Sequence, residues 1–394
     1  MIRNVFIIVL LIAVVGALGT ASLLVYQRKI NTDNLDNLHM AEALMEAKDF
    51  DGAIQHLLPV VQRGKRFDQP DYALYLLAQA YTGAGHKEAS DLWKRIADDF
   101  PESKYALDAR MRQAENLLQS KPAQAREIYK RVIAKSQGLI QGRAMLGVAS
   151  SLDNENNQES ALEEYYNIIS SVTDFTVISV AKDRLSQLNS ERLWSPVLDE
   201  FCQLYTVKKG DAAVKIGQTF KTTAWFIEGA NNVRANRLHP GQRLKVPKDP
   251  FQIIVSKERC RLELRNTGGK FIKWYPVCVG EQSYRTPAGE YSIINKEIEP
   301  TWYKPGGGVI QPNTPENALG TRWMGIGGSL GIHGTNAPET VGFAKSAGCI
   351  RMLNKDVEEL YKLVTYGTRV TIIDGTEIKS SHESKNASPG SSEG

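Results

Sequence analysis

Two short segments, GIHGT at 331–335 and SAGCIRM at 346–352, decide how this 394-residue chain is interpreted. They place His333 before Cys349, separated by a loop that contains glycine, proline and asparagine. Such a loop folds back easily, so it can set an imidazole against a thiol. A thiol attacks only as its thiolate, and a neighbouring imidazole can take its proton. We therefore predict that Cys349 is a nucleophile and that His333 is its base.

The glycines beside these two residues support the prediction. Gly348 permits a sharp turn that aims amide N–H groups at a developing oxyanion. Gly334 permits a close approach in which a backbone carbonyl holds the second ring nitrogen of the histidine. A lone cysteine is more often a small buried hydrophobe, and a lone histidine is more often structural. The adjoining glycines favour catalysis over that alternative.

The wider segment carries a family resemblance. Residues 319–352 resemble the active-site segment of the L,D-transpeptidase (YkuD-type) catalytic domain, whose pattern is HGT, a spacer and S-x-G-C-[IV]-R. Upstream, RTPAGEY at 285–291 resembles the R-T-P-x-G-x-[FY] strand start of the same family. Both segments match the family pattern, and together they cover many residues, so the chain is identified as similar to these enzymes.

The resemblance implies a reaction on peptidoglycan. Cys349 would attack the L,D peptide bond between residues three and four of a stem peptide, release D-Ala, and pass the acyl group to an amine of another stem as a 3→3 cross-link. The same acyl-enzyme resolved by water would make a carboxypeptidase, and resolved by a free D-amino acid an exchange enzyme. A non-catalytic wall-binding scaffold is the alternative of another class. Acylation by carbapenems is also expected from the resemblance.

The resemblance further assigns supporting residues. The loop and the oxyanion site would be shaped by Gly348, Ser346, Arg351 and Gly334. For Arg351 a fold-stabilising pairing with a carboxylate is an equal alternative. The candidates for lining the substrate groove are Trp302, Tyr303, Trp323 and Thr335, although packing is the commoner role of an aromatic side chain. No metal or other cofactor is expected, since the chain has no C-x-x-C pair and no Cys/His cluster.

The N-terminal segment, residues 1–30, contains the uncharged apolar run from Val5 to Tyr26. A bilayer needs about 20 such residues, so the run predicts a membrane anchor. The alternative is a cleaved signal at Ala17-Leu18-Gly19. The bulk of the chain is expected outside the cytoplasmic membrane, in the cell envelope, because the substrate lies there.

Residues 34–193 have a helical pattern with a repeat. Ala53, Ala89, Ala125 and Ala161 recur at one constant interval, which is typical of tetratricopeptide-like hairpins stacked into a solenoid. An ordinary helical bundle is the alternative. Such solenoids usually bind a protein or peptide, so we expect a protein partner on the repeats.

Residues 203–248 resemble a LysM module, a β-α-α-β unit that binds N-acetylglucosamine-containing glycan. The match rests on a Gly-Asp turn, on Asn231 and on the run LHPGQRLKVP at 238–247. The candidate glycan-binding residues are Gly210, Asp211 and Asn231. Gly217 departs from the pattern, since glycine inside a helix costs up to about 1 kcal/mol relative to alanine.

Residues 251–374 are β-rich and are predicted to form the catalytic domain. A hairpin turning near residues 266–269 is followed by further strands, and residues 305–329 are expected to be irregular. Asn354 is expected to cap a helix that ends at Gly367. The tail, residues 375–394, is polar and predicted to be disordered.

Composition limits the alternatives. A net charge of +4 is too small to indicate nucleic-acid binding. A disulfide between Cys260 and Cys278 is not favoured, because the hairpin would pair Cys260 with a residue near Tyr275. The predicted fold class is multidomain: an all-α solenoid of tetratricopeptide type, a small α+β LysM module and a mainly-β catalytic domain.

Overall fold

The computed structural model of the chain describes residues 26, 28–29, 31–64, 67–304 and 306–375. The predicted membrane anchor, apart from Tyr26, and the predicted tail, apart from Gly375, lie outside these residues. Within them, no helix is both long enough and apolar enough to span a membrane. The chain divides into two compact units, Met1–Ile178 and Ser179–Gly394.

The first unit is helical. Its helices are α1 (31–46), α2 (Phe50–Gln62), α3 (Pro70–Gly83), α4 (Ala89–Asp99), α5 (Ala106–Leu117), α6 (Pro122–Ile133), α7 (Gly138–Asn154) and α8 (Gln158–Ser171). Helix α9 (Phe175–Leu193) follows, and the boundary between the two units falls within it. The four alanines of the repeat begin or lie within α2, α4, α6 and α8, and each is at most 5% exposed. A small side chain at these positions allows the close helix packing that the repeat predicted.

The LysM module occupies the start of the second unit. Strands β1 (Cys202–Thr206) and β2 (Arg243–Pro247) pair antiparallel, and α10 (Ala213–Thr219) and α11 (Ala224–Asn231) lie between them in the chain. Glycine at position 217 does not destabilise the module, because a Cβ there would lie only 2.9 Å from the Thr222 carbonyl oxygen. Glycine is what lets the turn after α10 close, so the predicted cost is offset.

The catalytic domain is built on two sheets. The strands are β3 (Phe251–Ser256), β4 (Arg261–Asn266), β5 (Phe271–Pro276), β6 (Val279–Gly280), β7 (Gly289–Ser292), β8 (Asn295–Ile298), β9 (Trp302–Tyr303), β10 (Val309–Ile310), β11 (Arg322–Gly327), β12 (Leu330–His333), β13 (Ala344–Ser346), β14 (Ile350–Arg351) and β15 (Arg369–Ile373), with helix α12 (Asn354–Leu363) before β15. The five-stranded sheet has the order β5-β4-β3-β15-β7, and the four-stranded sheet has the order β14-β12-β11-β8. Residues 267–270 connect β4 to β5, close to the predicted turn.

Three predictions about this domain were wrong. Residues 305–329 are not wholly irregular, because they contain β10 and β11, and β11 forms the centre of the four-stranded sheet. Its glycines masked the strand pattern in the sequence. Asn354 does not cap α12: its amide turns back towards the loop after β12, as described below. Cys260 and Cys278 are both free thiols, but the predicted register was wrong: Tyr275 pairs with Leu262, and the Val277 N–H donates to the Cys260 carbonyl.

The C-terminal half of α9 covers an open edge of the five-stranded sheet. The Trp274 N–H of edge strand β5 donates to Ser186 Oγ (3.1 Å), and Asn189 Nδ2 donates to the Ile272 carbonyl (2.8 Å). These bonds satisfy backbone groups that an edge strand would leave unpaired. The last turns of the helical region therefore support the catalytic domain.

Candidate active site

Strands β12 and β14 bring the two halves of the motif together. They pair in parallel, with Ile332 opposite Ile350 and His333 opposite Arg351. Cys349 directly precedes β14, so by the same register it lies level with Gly331, two residues before His333. The loop between them folds back as its composition predicted.

His333 is held rigidly and is buried. The residue as a whole is 3% exposed, and its Nδ1–H donates to the Gly334 carbonyl at 2.7 Å. The Trp323 ring stacks on the imidazole, with centroids 5.6 Å apart. Burial lowers the pKa of His333 to about 4, although the Gly334 and Leu319 carbonyls favour its protonated form. The imidazole is therefore neutral at neutral pH and is available as a base.

Cys349 is half-buried, and its thiol donates to the Ser329 carbonyl at 3.4 Å. Burial raises the pKa of this thiol, and the opposing effects of the Gly331 backbone and the Arg351 charge do not overcome it. The resting thiol is thus protonated. Among the described residues, no hydrogen bond joins this thiol to the His333 ring, and the two side chains bond to different carbonyls.

The turn before the nucleophile is fixed by Ser346. Its hydroxyl accepts from the Gly348 N–H (3.2 Å) and donates to the Cys349 carbonyl (2.6 Å). Gly348 has φ of +110°, a conformation that favours glycine. Since the Gly348 N–H is already bonded, it is not the open donor we expected. The Cys349 N–H makes no hydrogen bond to another described residue, so it remains open.

Sequence reasoning missed Thr286, which forms a hydrogen bond to this turn from a distant part of the chain. Thr286 is 1% exposed, and its hydroxyl donates to the Gly348 carbonyl at 2.7 Å. It belongs to the R-T-P motif, which was quoted only as a family signature. The motif was the available signal, but the contact spans many residues of sequence and cannot be inferred from spacing.

Arg351 lies beside both reactive groups. Its backbone bridges to Cys278, with N–O distances of 2.8 and 2.9 Å. No carboxylate among the described residues comes within ion-pair distance of its guanidinium. The alternative in which Arg351 forms a fold-stabilising carboxylate pair is therefore not observed.

The loop after His333 is fastened by Asn354. Its Oδ1 accepts from the N–H groups of Thr335 (3.0 Å) and Thr321 (3.3 Å), and its Nδ2 donates to the Thr335 carbonyl (3.1 Å). A Cβ on Gly334 would lie 2.1 Å from Asn354 Oδ1, which explains the glycine after the histidine. Sequence reasoning missed this role because it assigned Asn354 to the helix that begins there.

The predicted groove residues have different fates. Thr335 is 3% exposed and its hydroxyl accepts from the Ala337 N–H, so it shapes the loop, and its place on the groove stays a prediction. Trp323 is half-exposed and covers the His333 ring. Trp302 and Tyr303 lie on the β9–β10 hairpin, opposite Ile310 and Val309, and their place on the groove stays a prediction.

The predicted glycan residues of the LysM module are mostly occupied. Asn231 Nδ2 donates to the Ile227 and Lys245 carbonyls, and its Oδ1 accepts from the Lys245 N–H at 2.6 Å. The Asp211 carboxylate accepts from Tyr205 and from the Lys208 N–H, which lowers its pKa. Gly210 is exposed, with φ of +87°. Asn231 therefore holds the fold, since both Nδ2 protons and one lone pair of Oδ1 are used within the protein, and glycan binding by these residues stays a prediction.

Known protein families match three segments of the chain. Family models match the L,D-transpeptidase catalytic domain at residues 250–372, the LysM domain at 205–247 and the tetratricopeptide repeat at 72–103. An NMR structure of the catalytic domain of the E. faecium L,D-transpeptidase, acylated by ertapenem, aligns with 32% of this chain and 98% of that chain, at 26% identity and a TM-score of 0.27.

Two bacterial relatives are similar over nearly their whole length. The L,D-transpeptidase relative YkuD of Bacillus licheniformis is 35% identical over 177 residues, which is 43% of this chain and 98% of that protein. YkuD of Bacillus subtilis is 36% identical over 177 residues, with 43% and 97% covered. The chain therefore belongs to the YkuD-type L,D-transpeptidase family and is an L,D-transpeptidase that also carries a LysM domain and tetratricopeptide repeats.

Proposed function

We propose that Cys349 and His333 carry out the transpeptidase reaction on peptidoglycan stem peptides. The observation that supports the proposal is the pairing of β12 with β14, which brings the two motif segments onto adjacent strands. The raised pKa of the Cys349 thiol and the lowered pKa of the buried His333 imidazole leave both groups neutral. A neutral base can accept the thiol proton as the substrate arrives. The thiol donates to the Ser329 carbonyl in the absence of substrate, and catalytic hydrogen bonds often form only once the substrate binds.

The first half of the reaction forms an acyl-enzyme. His333 takes the proton of the thiol, and Cys349 Sγ bonds to the carbonyl carbon between stem residues three and four. The carbon–nitrogen bond then breaks, and D-Ala leaves with the proton that His333 returns to its amine. The product is a thioester on Cys349.

The second half transfers the acyl group. An amine of another stem peptide attacks the thioester, His333 accepts a proton from that amine, and the thiol leaves and is reprotonated. In both halves the negative charge on the tetrahedral oxygen is stabilised by the open Cys349 N–H, with the positive charge of Arg351 nearby. Ser346, Gly348 and Gly334 hold these groups in place, and Trp323 covers the imidazole.

Product analysis tests this proposal. Peptidoglycan fragments with tetrapeptide stems are incubated with the soluble part of the chain and examined by mass spectrometry, alongside the Cys349→Ala variant. The proposal expects 3→3 dimers and loss of D-Ala with the wild type only. Tripeptide without dimer would indicate a carboxypeptidase, and exchanged D-amino acids an exchange enzyme. An unchanged tetrapeptide would favour the scaffold alternative.

The other modules are proposed to bring this site to its polymer. The LysM module would bind the glycan strands, and its exposed Gly210 turn is the part of the predicted site that remains available. The apolar run from Val5 to Tyr26 would anchor the chain in the membrane, with the bulk on the outer side. The repeats would bind a protein partner. Fractionation of cells that express the chain with and without residues 1–30 tests the anchor, which predicts release from the membrane on truncation.

A further inference from the structure

The peptide group that contains the Cys349 N–H is hydrogen-bonded to Thr286, which lies outside the catalytic loop. We propose that Thr286 is a positioning residue that aims the Cys349 N–H at the substrate carbonyl oxygen. This inference rests on the proposed function, because it assigns the way in which the proposed oxyanion donor is oriented.

The contacts of Thr286 are all internal. Its hydroxyl accepts from the Gly280 N–H at 2.8 Å and donates to the Gly348 carbonyl at 2.7 Å. Its own carbonyl accepts from Lys257 Nζ at 2.8 Å. The residue is 1% exposed, so water does not compete for these bonds. Thr286 is therefore a fixed point from which the Gly348 carbonyl is held.

Planarity of the peptide bond carries this restraint to the catalytic amide. The Gly348 carbonyl and the Cys349 N–H belong to one trans peptide group, so they point in opposite directions. A bond that fixes the carbonyl must also fix the N–H. The restraint is needed because Gly348, at φ of +110°, has no Cβ to limit rotation of this peptide. Ser346 secures the following carbonyl but leaves this one to Thr286.

Two reactions of the same thiol separate this role from a general structural one. Acylation passes through a tetrahedral oxyanion and needs the aimed N–H. Alkylation by iodoacetamide is a direct displacement at carbon and forms no oxyanion, although it needs the same accessible thiolate. A residue that only aims the N–H should affect the first reaction and spare the second.

The test compares Thr286→Val, which keeps the shape and removes the hydroxyl, with Thr286→Ser, which keeps the hydroxyl. Ser186→Ala is the matched control, since Ser186 Oγ also accepts a backbone N–H and donates to a carbonyl, but at the α9–β5 contact. For each variant the rates of acylation by tetrapeptide donor and by a carbapenem, the rate of alkylation, and the thermal midpoint are measured. Thr286→Ala is a second variant without the hydroxyl, for use should valine prevent folding.

We expect Thr286→Val to acylate roughly 10–100-fold more slowly, somewhat less than the loss of an oxyanion donor, with alkylation nearly unchanged. Thr286→Ser should restore acylation, and Ser186→Ala should alter neither rate. Wild-type acylation in the hydroxyl-free variants, or an equal loss of acylation and alkylation, would overturn the role of Thr286. A wild-type protein that is alkylated but never acylated would overturn the proposed function itself and this role with it.

Discussion

The catalytic loop and the LysM turn contain the same kinds of polar residue, yet they use them differently. In the catalytic loop, Ser346 and Asn354 bond to the backbone, and the Cys349 N–H makes no hydrogen bond to another described residue. In the LysM module, Asn231 and Asp211 also bond to the backbone, and their bonds join α11 to β2 and close the turn after β1.

This difference shows that the residues of a sequence motif can have two roles. Some take part in the chemistry, and others hold the backbone in the shape that the chemistry requires. Hydrogen-bond partners distinguish the two, because a side chain whose donors and acceptors are satisfied within the protein offers nothing to a ligand. Variants on both sides of the comparison should therefore fail in different ways.

The largest effect is expected at His333. Replacement by alanine removes the neutral base, and we expect the transpeptidase rate to fall by about 10²–10⁴-fold. Steady-state turnover of a tetrapeptide donor measures it. As a control, iodoacetamide should still modify Cys349 in the variant at high pH, where the thiolate forms without a base. Retention of full turnover would remove His333 from the mechanism.

The pH dependence of alkylation tests the protonation states of the pair. The pKa of Cys349 is raised and that of His333 is about 4, so no thiolate–imidazolium pair exists at neutral pH. The rate of alkylation by iodoacetamide should rise about tenfold per pH unit from pH 6 to 8, because the thiolate stays a minor species. A plateau in this range would show a preformed ion pair and contradict the account.

Asn354 should have a moderate effect. Replacement by alanine releases the loop after His333 while leaving the reactive groups present, so we expect turnover to fall roughly 10–100-fold through misplacement of the imidazole. Turnover and the thermal midpoint are measured together. A loss of stability with full activity in the remaining folded protein would show that the loop does not need this restraint.

The smallest effect on chemistry is expected in the LysM module. Asn231→Ala removes three internal hydrogen bonds, each worth about 1 kcal/mol, and should destabilise the module by about 2–3 kcal/mol without changing the rate on a short stem peptide. Thermal unfolding and turnover measure the two effects. Normal stability together with weakened glycan binding would show that Asn231 contacts the glycan. Asp211→Asn is the matched control and should shift the midpoint less, since that turn is largely exposed to solvent.

The sequence predicted well whatever a local pattern encodes. The constant interval between the repeat alanines predicted buried helix contacts, and the composition of the loop between His333 and Cys349 predicted that it folds back. The hairpin over residues 266–269 was visible from alternation. These features depend on residues close together in the chain or on a strict period.

Long-range contacts were not predictable in the same way. Thr286 reaches Gly348, and Asn354 reaches back to Thr321, across strands whose pairing the sequence does not display. Gly217 looked unfavourable because the carbonyl that it accommodates belongs to the following turn. The cover that Ser186 and Asn189 give to the edge of β5 depends on the tertiary fold, and a helical period alone could not show it.

The most direct test of the central claim is the mass of the intact protein after brief incubation with a tetrapeptide donor in the absence of an acceptor amine. The account predicts an adduct equal to the donor minus D-Ala, located at Cys349 by peptide mapping and absent from Cys349→Ala. An adduct on Cys202, Cys260 or Cys278, or product formation with no dependence on Cys349, would contradict it.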